Sequence, residues 1–321
     1  MTILKYPSCY WMIGISGSGK TSLAKEIANE KEAIILSSDS IREELYGDEN
    51  IQGDPKEVFS ILHSRAIDVL KMGFSIIYDA TNLSLKNRNK FFNQLKEEGI
   101  KAEHHAIVMS KSVTMCLEDN KKRSRVVPDH VIKNQVKQFD MPFFEEGFKT
   151  ITITGWKNFD NVSEDDERYG EVNLRNNAEI IIRMDEFNQN NPHHELTLGY
   201  HCNKVAEIVR KFSDDLALYL ASELHDVGKL YTEERDENGF SHYYGHAQVG
   251  TYYLLQNLDA LNCLSVKSVD VIKSLFYICY HMRPFDWKNQ KTKDKYKKLF
   301  GPEKYNNLWL LHQADIRGCK A

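Results

Sequence analysis

The sequence predicts two domains in series: an α/β domain built on a parallel sheet with flanking helices, followed by an all-α domain. Three observations carry this. Short apolar runs alternate with helix-period segments up to residue 154, apolar residues past residue 185 recur almost entirely at helical spacing, and an acid-rich stretch between them follows neither pattern. At 321 residues, 41% hydrophobic and 27% charged, the chain holds apolar material for two cores and lacks the composition of a disordered tail.

Residues 9–13 (Cys-Tyr-Trp-Met-Ile) form an apolar run ending at Gly14, and Leu23, Ala24, Ile27 and Ala28 then keep a helix period, which reads as strand, turn and helix. Residues 33–36 and 74–78 read as the second and third strands, separated by a helix marked by Val58, Leu62, Ala66 and Val69. Strands alternating with helices imply βαβ units and a parallel sheet. Residues 105–109 and 151–154 read as further strands, the last closing a first domain at 1–154. Residues 160–171 carry six acidic side chains against Arg168 alone, so 155–184 reads as a solvated linker or insertion. In the second domain, 185–321, Val205, Ile208, Val209, Phe212, Leu216 and Tyr219 share one helical face, and 246–258 and 266–281 behave alike.

The charge balance, 46 acidic against 42 basic residues for a net charge of −4, excludes a tail-like polycationic nucleic-acid binder. No run approaches the roughly 20 apolar residues of a membrane span, and residues 1–7 lack a cleavable signal pattern, so a cytoplasmic protein with no membrane partner is expected. Six scattered Cys without a C-x-x-C pair support neither a disulfide framework nor a zinc ribbon. Eight of the twelve His lie between His193 and His312, a skew that a metal-using second half would produce.

Gly14-Ile-Ser16-Gly17-Ser18-Gly19-Lys20-Thr21 fits G-x-x-x-x-G-K-[ST] between a predicted strand and helix, the context the pattern requires. Such a loop closes backbone N–H groups around phosphate oxygens, with Lys20 reaching the β and γ phosphates and Thr21 offering a hydroxyl to Mg²⁺; Ser22 continues the cradle. Asp39, after the second strand, is placed to take a proton from an acceptor hydroxyl, and Arg42, one turn on, to hold an acceptor phosphate. Asp39 also fits a helix N-cap, and the two roles can coexist. Asp79, ending the third strand, fits a Mg²⁺-side carboxylate, with a turn-forming Asp and Asn82 as the alternative. The basic segment 121–125, with Arg123 and Arg125, suits a mobile lid over a transferring phosphoryl group, although such runs are also solvated faces.

This set, with Ser38-Asp39-x-x-Arg42, Asp79-Ala-Thr-Asn82, Val127-Pro128 and Pro142-x-x-Glu145-Glu-Gly147-Phe148, resembles the polynucleotide 5′-kinase family over about residues 9–154. The resemblance implies ATP and Mg²⁺ as cofactors, Asp39 as general base for a 5′-hydroxyl, Arg42 on the acceptor's 3′-phosphate, and Arg123 and Arg125 clamping the ATP phosphates. The Asp-x-Asp-x-Thr phosphatase motif of the phage enzyme is missing here.

In the second half, His225-Asp226 ends an apolar helical run, and Gly228 is expected to let the chain turn away. With His201, His246, His281 and Asp315 it forms a series in apolar helical surroundings, where a buried imidazole or carboxylate needs a partner and a divalent cation can serve. Core histidines satisfied by ordinary hydrogen bonds are the alternative for any single member. The order resembles the HD phosphohydrolase superfamily over about 185–321, including Asn191-Pro-His193-His194-x-Leu and Tyr244-Gly-His246-Ala-x-x-Gly250. It implies one metal held by His201, His225, Asp226 and Asp315, a second completed by His246 and His281 with Asp226 bridging, and Lys229 as a phosphate binder. Mn²⁺, Ni²⁺, Co²⁺ or Fe²⁺ would suit. His193 and His194 fit a helix cap or the pocket, His242 and His312 read as structural, and His63, His104, His105 and His130 have no nameable partner. Six Lys from Lys288 to Lys298, near Trp287 and Tyr296, read either as a solvated loop or as a phosphate-tracking strip.

The expected whole is an α/β P-loop kinase domain followed by an all-α HD-type domain. The pairing resembles bifunctional bacterial RNA end-healing proteins, whose HD module comes first, whereas here the kinase motifs do. It implies RNA or DNA ends as substrate and a ligase acting downstream; the oligomeric state is not indicated. The alternatives are a small-molecule or nucleotide kinase fused to an HD nucleotide phosphohydrolase, and a regulatory ATPase with a nucleotide-sensing HD module.

Overall fold

The structure, a computed structural model, describes residues 6–48, 51–123, 125–156, 159–168, 177–191, 195–258 and 266–319. Its contacts divide into two units: residues 1–135, 147–155 and 159–164 form the first, and 136–146, 156–158 and 165–321 the second.

In the first unit the order is β1 (Ser8–Ile13), α1 (Lys20–Lys31), β2 (Ile34–Ser37), α2 (Ser38–Tyr46), α3 (Pro55–Lys71), β3 (Ile76–Asp79), α4 (Leu85–Glu97), β4 (Glu103–Val108), α5 (Val113–Asn120), α6 (Asp129–Lys137, leaving the unit at its end) and β5 (Phe148–Ile153). The strands pair in parallel in the order β2-β3-β1-β4-β5. Central β1 is covered on both faces, and Cys9, Trp11, Met12 and Ile13 are buried, which is why it reads as a continuous apolar run. Trp11 centres an aromatic cluster of Tyr78, Phe91, Phe92 and Phe148. Ser37, Asp54, Ser84 and Ser112 cap their helices, each side chain accepting from an N–H in the first turn. Within the acid-rich segment, Phe159 and Val162 are buried, and Val162 pairs antiparallel with Ile151 of β5, so its two apolar side chains tie part of that stretch to the sheet.

The second unit holds α7 (Asn177–Glu186), α8 (Leu198–Arg210), α9 (Leu216–Leu224), α10 (Lys229–Thr232), a short antiparallel hairpin of β6 (Glu234–Arg235) and β7 (Ser241–His242), α11 (His246–Gln256), α12 (Ser268–Tyr280) and α13 (Gln290–Gly318). The single face expected from Val205 to Tyr219 is broken. Asp215 caps α9 by accepting from the Leu218 N–H, and Phe212, between the two helices, is 65% exposed. Residues 136–146 join this unit, where Phe143 packs against Phe276, Tyr280 and Phe300. Helix α13 kinks at Gly301 (φ 77°), ahead of Pro302. No helix among the described residues is long and apolar enough to cross a membrane.

Candidate active sites

In the first unit the parallel sheet brings the carboxy ends of β1, β2 and β3 side by side, with Ser37 and Met12 both in register with Asp79. Ligand crevices of open α/β sheets lie at this edge. The Gly14–Thr21 loop leaves β1 and enters α1. Gly17 (φ 81°) and Gly19 (φ 90°) take left-handed backbone, and a Cβ on Gly17 would stand 2.2 Å from the Cys116 carbonyl oxygen. Lys20 Nζ donates to the Ile15 carbonyl at 2.8 Å, and burial of its ammonium end pulls the pKa down to about 8, against the opposing pull of Asp79. Thr21 Oγ1 donates to Asp79 Oδ2 at 2.9 Å, and burial raises the Asp79 pKa while Lys20 and Thr21 lower it. Thr21 and Asp79 thus present hydroxyl and carboxylate oxygens together, a donor set suited to Mg²⁺. Asn82, in left-handed backbone (φ 49°), donates to the Met12 carbonyl and ties the loop after β3 to β1.

Asp39 is not the cap of α2; Ser37 takes that role, accepting from the Asp39 N–H, because two capping residues compete there and the chain turns helical at Ser38. The Asp39 carboxylate is ringed by arginines: Arg42 Nη1 at 2.9 Å and Arg125 Nη1 on Oδ1, and Arg123 Nη2 at 3.8 Å from Oδ2. Arg42 is buried, which lowers its pKa against the pull of Asp39. Arg123 also bears electrostatically on Lys20 and Asp79, so its charge is felt at the phosphate loop as well as at Asp39.

Two residues that the sequence did not single out organise this site. Buried Asn120 clasps both ends of the backbone unit at Val127, donating from Nδ2 to its carbonyl at 2.7 Å and accepting from its N–H at 3.0 Å. This closes the arginine-bearing loop into a flap. Gln135 on α6 accepts from the Ser16 N–H at 2.7 Å and donates to Ser16 Oγ at 3.1 Å. Its partner lies 119 residues away, and no local pattern announces such a contact.

In the second unit, His201, His225, Asp226 and Asp315 offer ligand atoms within 4.8 Å of one another, as do Asp226, His246 and His281. The two sets share Asp226. Its Oδ2 faces His225 (3.5 Å) and His201 (3.7 Å), and its Oδ1 faces His246 (3.1 Å) and His281 (3.5 Å). Asp315 Oδ1 lies 3.1 Å from His201 Nε2 and 3.7 Å from His225 Nε2. Helix ends place the rings: His225 and His281 cap the carboxy ends of α9 and α12, and His246 starts α11.

All four Nδ1 atoms meet backbone carbonyls: His201 on Gly318, His225 on Ser222, His246 on Tyr243 and His281 on Ile278. A carbonyl only accepts, so Nδ1 carries a proton in each ring and Nε2 is the nitrogen turned inward, the arrangement metal-bound imidazoles adopt. His225 Nε2 is buried without a hydrogen bond. Burial opposes charge on His225, yet Asp226 next to it carries its pKa well above the usual imidazole range. Burial likewise works against ionised Asp226 and Asp315, but Lys229 and His225 hold the first, and His201 and His225 the second, well below the usual carboxylate range. Buried Asp226, half-buried Asp315 and four inward-facing Nε2 atoms make a donor set that fits a divalent cation.

Lys229 lies with Nζ 2.6 Å from Asp226 Oδ2 and 2.8 Å from Oε1 of buried Gln189, so it neutralises Asp226 as placed. Residues 225–228 form the turn between α9 and α10, which Gly228 closes with an ordinary φ of −64°. A Cβ there would meet the His246 carbonyl oxygen at 1.9 Å, so the glycine permits close packing of α10 on α11. His63 stacks on Phe91, His104 accepts from Trp11 Nε1, His105 meets Thr150 Oγ1 and His242 meets Asp236. His193 and His194 lie outside the described residues.

Fold and site together define a phosphate-loop, kinase-like domain followed by a helical His/Asp domain. A family model described as an AAA domain matches residues 10–142, and one described as an HD domain matches residues 198–316. The chain thus pairs a kinase-like region that matches the AAA domain model with a region that matches the HD domain model, which implies ATP with Mg²⁺ in the first and a divalent cation in the second. No curated protein matches the chain. Among solved structures, a chain of the Pnkp1/Rnl/Hen1 RNA repair complex is 20% identical over 42% of this chain and 44% of its own, with a TM-score of 0.37. A gluconokinase from Sinorhizobium meliloti is 17% identical over 42% of this chain and 76% of its own, with a TM-score of 0.30. A deoxyadenosine kinase from M. mycoides is 15% identical over 41% of this chain and 80% of its own, with a TM-score of 0.29. The chain thus spans under half the length of the RNA repair chain it matches.

Proposed function

We propose that this protein heals RNA ends: the first unit transfers the γ-phosphoryl group of ATP to a 5′-hydroxyl, and the second hydrolyses a 2′,3′-cyclic phosphate or 2′-phosphate. The observation that carries the reading is the Asp39 carboxylate, at the sheet edge that holds the phosphate loop, ringed by Arg42, Arg123 and Arg125. In this reading Asp39 takes the proton of the attacking hydroxyl and Arg42 holds an acceptor phosphate. Lys20, Arg123 and Arg125 neutralise the transferring group, with Thr21 and Asp79 on the Mg²⁺ side. The phosphate loop from Gly14 to Ser22 cradles the nucleotide.

In the second unit, a divalent cation when bound supplies an activated water and stabilises the leaving oxygen. His201, His225 and Asp315 would hold one half of that centre, and His246 and His281 the other, with Asp226 common to both sets. Lys229 balances the charge of Asp226 and stands ready to meet a substrate phosphate.

The test is an RNA with a 5′-hydroxyl and a 2′,3′-cyclic phosphate, incubated with ATP, Mg²⁺ and Mn²⁺ or Ni²⁺, with both ends inspected. A 5′-phosphate and a 3′-hydroxyl are expected. If neither end changes, the reading is wrong; phosphorylation of a nucleoside or sugar with RNA untouched would instead make this a metabolite kinase.

A further inference from the structure

Helix α13 carries a feature that the two active sites leave unused. Lys288, Lys291, Lys293, Lys295, Lys297 and Lys298 fall within eleven residues, with Asp294 the one acid among them. The loop expected there is instead a helix capped by Asn289, whose side chain accepts from the Thr292 N–H at 2.9 Å. Five of the lysines are exposed, Lys293 is half-buried, and none forms an ion pair among the described residues. Lys291, Lys295 and Lys298 stand at i, i+4 and i+7, one stripe roughly 10 Å long. Like charges at this spacing repel, so the stripe opposes the helix that presents it unless a polyanion lies along it.

Beside the stripe runs an aromatic stack. The Trp287 ring lies 4.3 Å from that of Tyr305 and 6.0 Å from that of Trp309, and Lys293 Nζ stands 5.3 Å over Trp309. Trp309 meets the ring of His312 at 5.4 Å, and Phe285, 45% exposed, meets it at 4.4 Å. His312 is 8% exposed, and its Nδ1 is buried without a hydrogen bond. Asp315, a member of the His/Asp centre, follows one turn later. Unpaired cations, stacked aromatic rings, an unsatisfied imidazole nitrogen and the metal-type centre are therefore connected through one kinked helix.

We propose that α13 is the track on which a single-stranded RNA lies as its 3′ end enters the His/Asp centre. The lysine stripe holds backbone phosphates and the Trp309 side of the stack takes a base. The identity of the strand rests on the end-healing reading, and the track narrows it from phosphoesters in general to polynucleotides.

The test uses the full chain and a Lys291→Glu/Lys295→Glu/Lys298→Glu variant, with fluorescence anisotropy of a labelled 12-nucleotide oligoribonucleotide and, separately, hydrolysis of cytidine 2′,3′-cyclic monophosphate. The variant is expected to bind the oligonucleotide at least about tenfold more weakly at 0.1 M salt, with a log–log salt slope smaller by about 2, as loss of three phosphate contacts to a single strand dictates. Its rate on the mononucleotide is expected to equal the parent's. Equal oligonucleotide binding by both proteins, or no binding by the parent, overturns the track. So does polyglutamate competing as well as RNA at equal charge, since that would make the partner an acidic protein. If the parent binds the strand through these lysines yet leaves the cyclic mononucleotide intact, the track stands and the end-healing reading falls.

Discussion

His246 Nε2 and His281 Nε2 stand 3.1 Å apart, while both Nδ1 atoms are committed to backbone carbonyls. In their neutral forms the two rings press lone pair against lone pair beside Asp226 Oδ1, an arrangement stable only with positive charge between them. Mn²⁺ or Ni²⁺ is therefore expected to raise the melting temperature, by about 2.7 kcal/mol of stability at a hundred times the dissociation constant. Replacing His281 with Ala should lower the bound metal from two equivalents to one, read by elemental analysis after desalting. Two equivalents in that variant would remove His281 from the ligand set.

Asp39 and the His/Asp centre belong to different units, so their losses should separate. Asp39→Asn is expected to cut 5′ phosphorylation by about 10²–10⁴-fold while ATP binding and the 3′ reaction persist. Asp226→Ala should do the reverse. End analysis of one doubly labelled RNA reads both rates, and loss of both in either variant would show that the two reactions are coupled.

Gln135 holds the phosphate loop by two hydrogen bonds to Ser16, so Gln135→Ala is expected to lower kcat/KM for ATP roughly tenfold through the loop's geometry. The 3′ reaction should be unchanged. Steady-state kinetics against ATP decides the matter, and an unchanged kcat/KM would reduce the clasp to a packing contact.

Acid should weaken the first unit through its buried imidazoles. Burial lowers the pKa of both His63 and His104 to about 4, and His104 Nδ1 accepts from Trp11 Nε1 at 3.2 Å, a bond that only the neutral ring can make. The unfolded chain then binds protons that the folded one refuses between pH 6.5 and 4. Stability is full above 6.5 and falls as pH drops through that window, by on the order of 2 to 3 kcal/mol for each ring. His104→Asn keeps an acceptor and removes the titration, so its denaturation midpoint should depend less steeply on pH than the parent's.

Gly228→Ala should cost roughly 1 to 3 kcal/mol or more, because the new methyl meets the His246 carbonyl oxygen and Gly250 N with no flexible side chain to yield. Since His246 opens α11, the displacement should also weaken metal binding. A melting curve and a metal titration on the same sample check both parts.

The five strands of the first unit were legible because each is a short apolar run set off by turns and helices. The order β2-β3-β1-β4-β5 was not, since it depends on crossovers that leave no local mark. The six His and Asp residues that gather in the second unit were visible as polar residues in apolar helical text. What stayed hidden was long-range or locally ambiguous. Gln135 and Gln189 are ordinary polar residues until folding brings Ser16 and Lys229 to them. The break between α8 and α9 was masked because Phe212 continues the apolar period while standing in solvent. The lysine segment looked like a loop because its polar residues hide the contacts of Tyr296 with Trp287 and of Phe300 with Phe143 and Phe276 that seat the helix.

The Asn120 clasp on Val127 pins together the two ends of the segment that carries Arg123 and Arg125. Opening that one pin would free the segment that carries both guanidinium groups, so both would be released from Asp39 together. The kinase unit would then respond to ATP in a single concerted step, with the acceptor carboxylate uncovered by the same motion that closes charge over the phosphates.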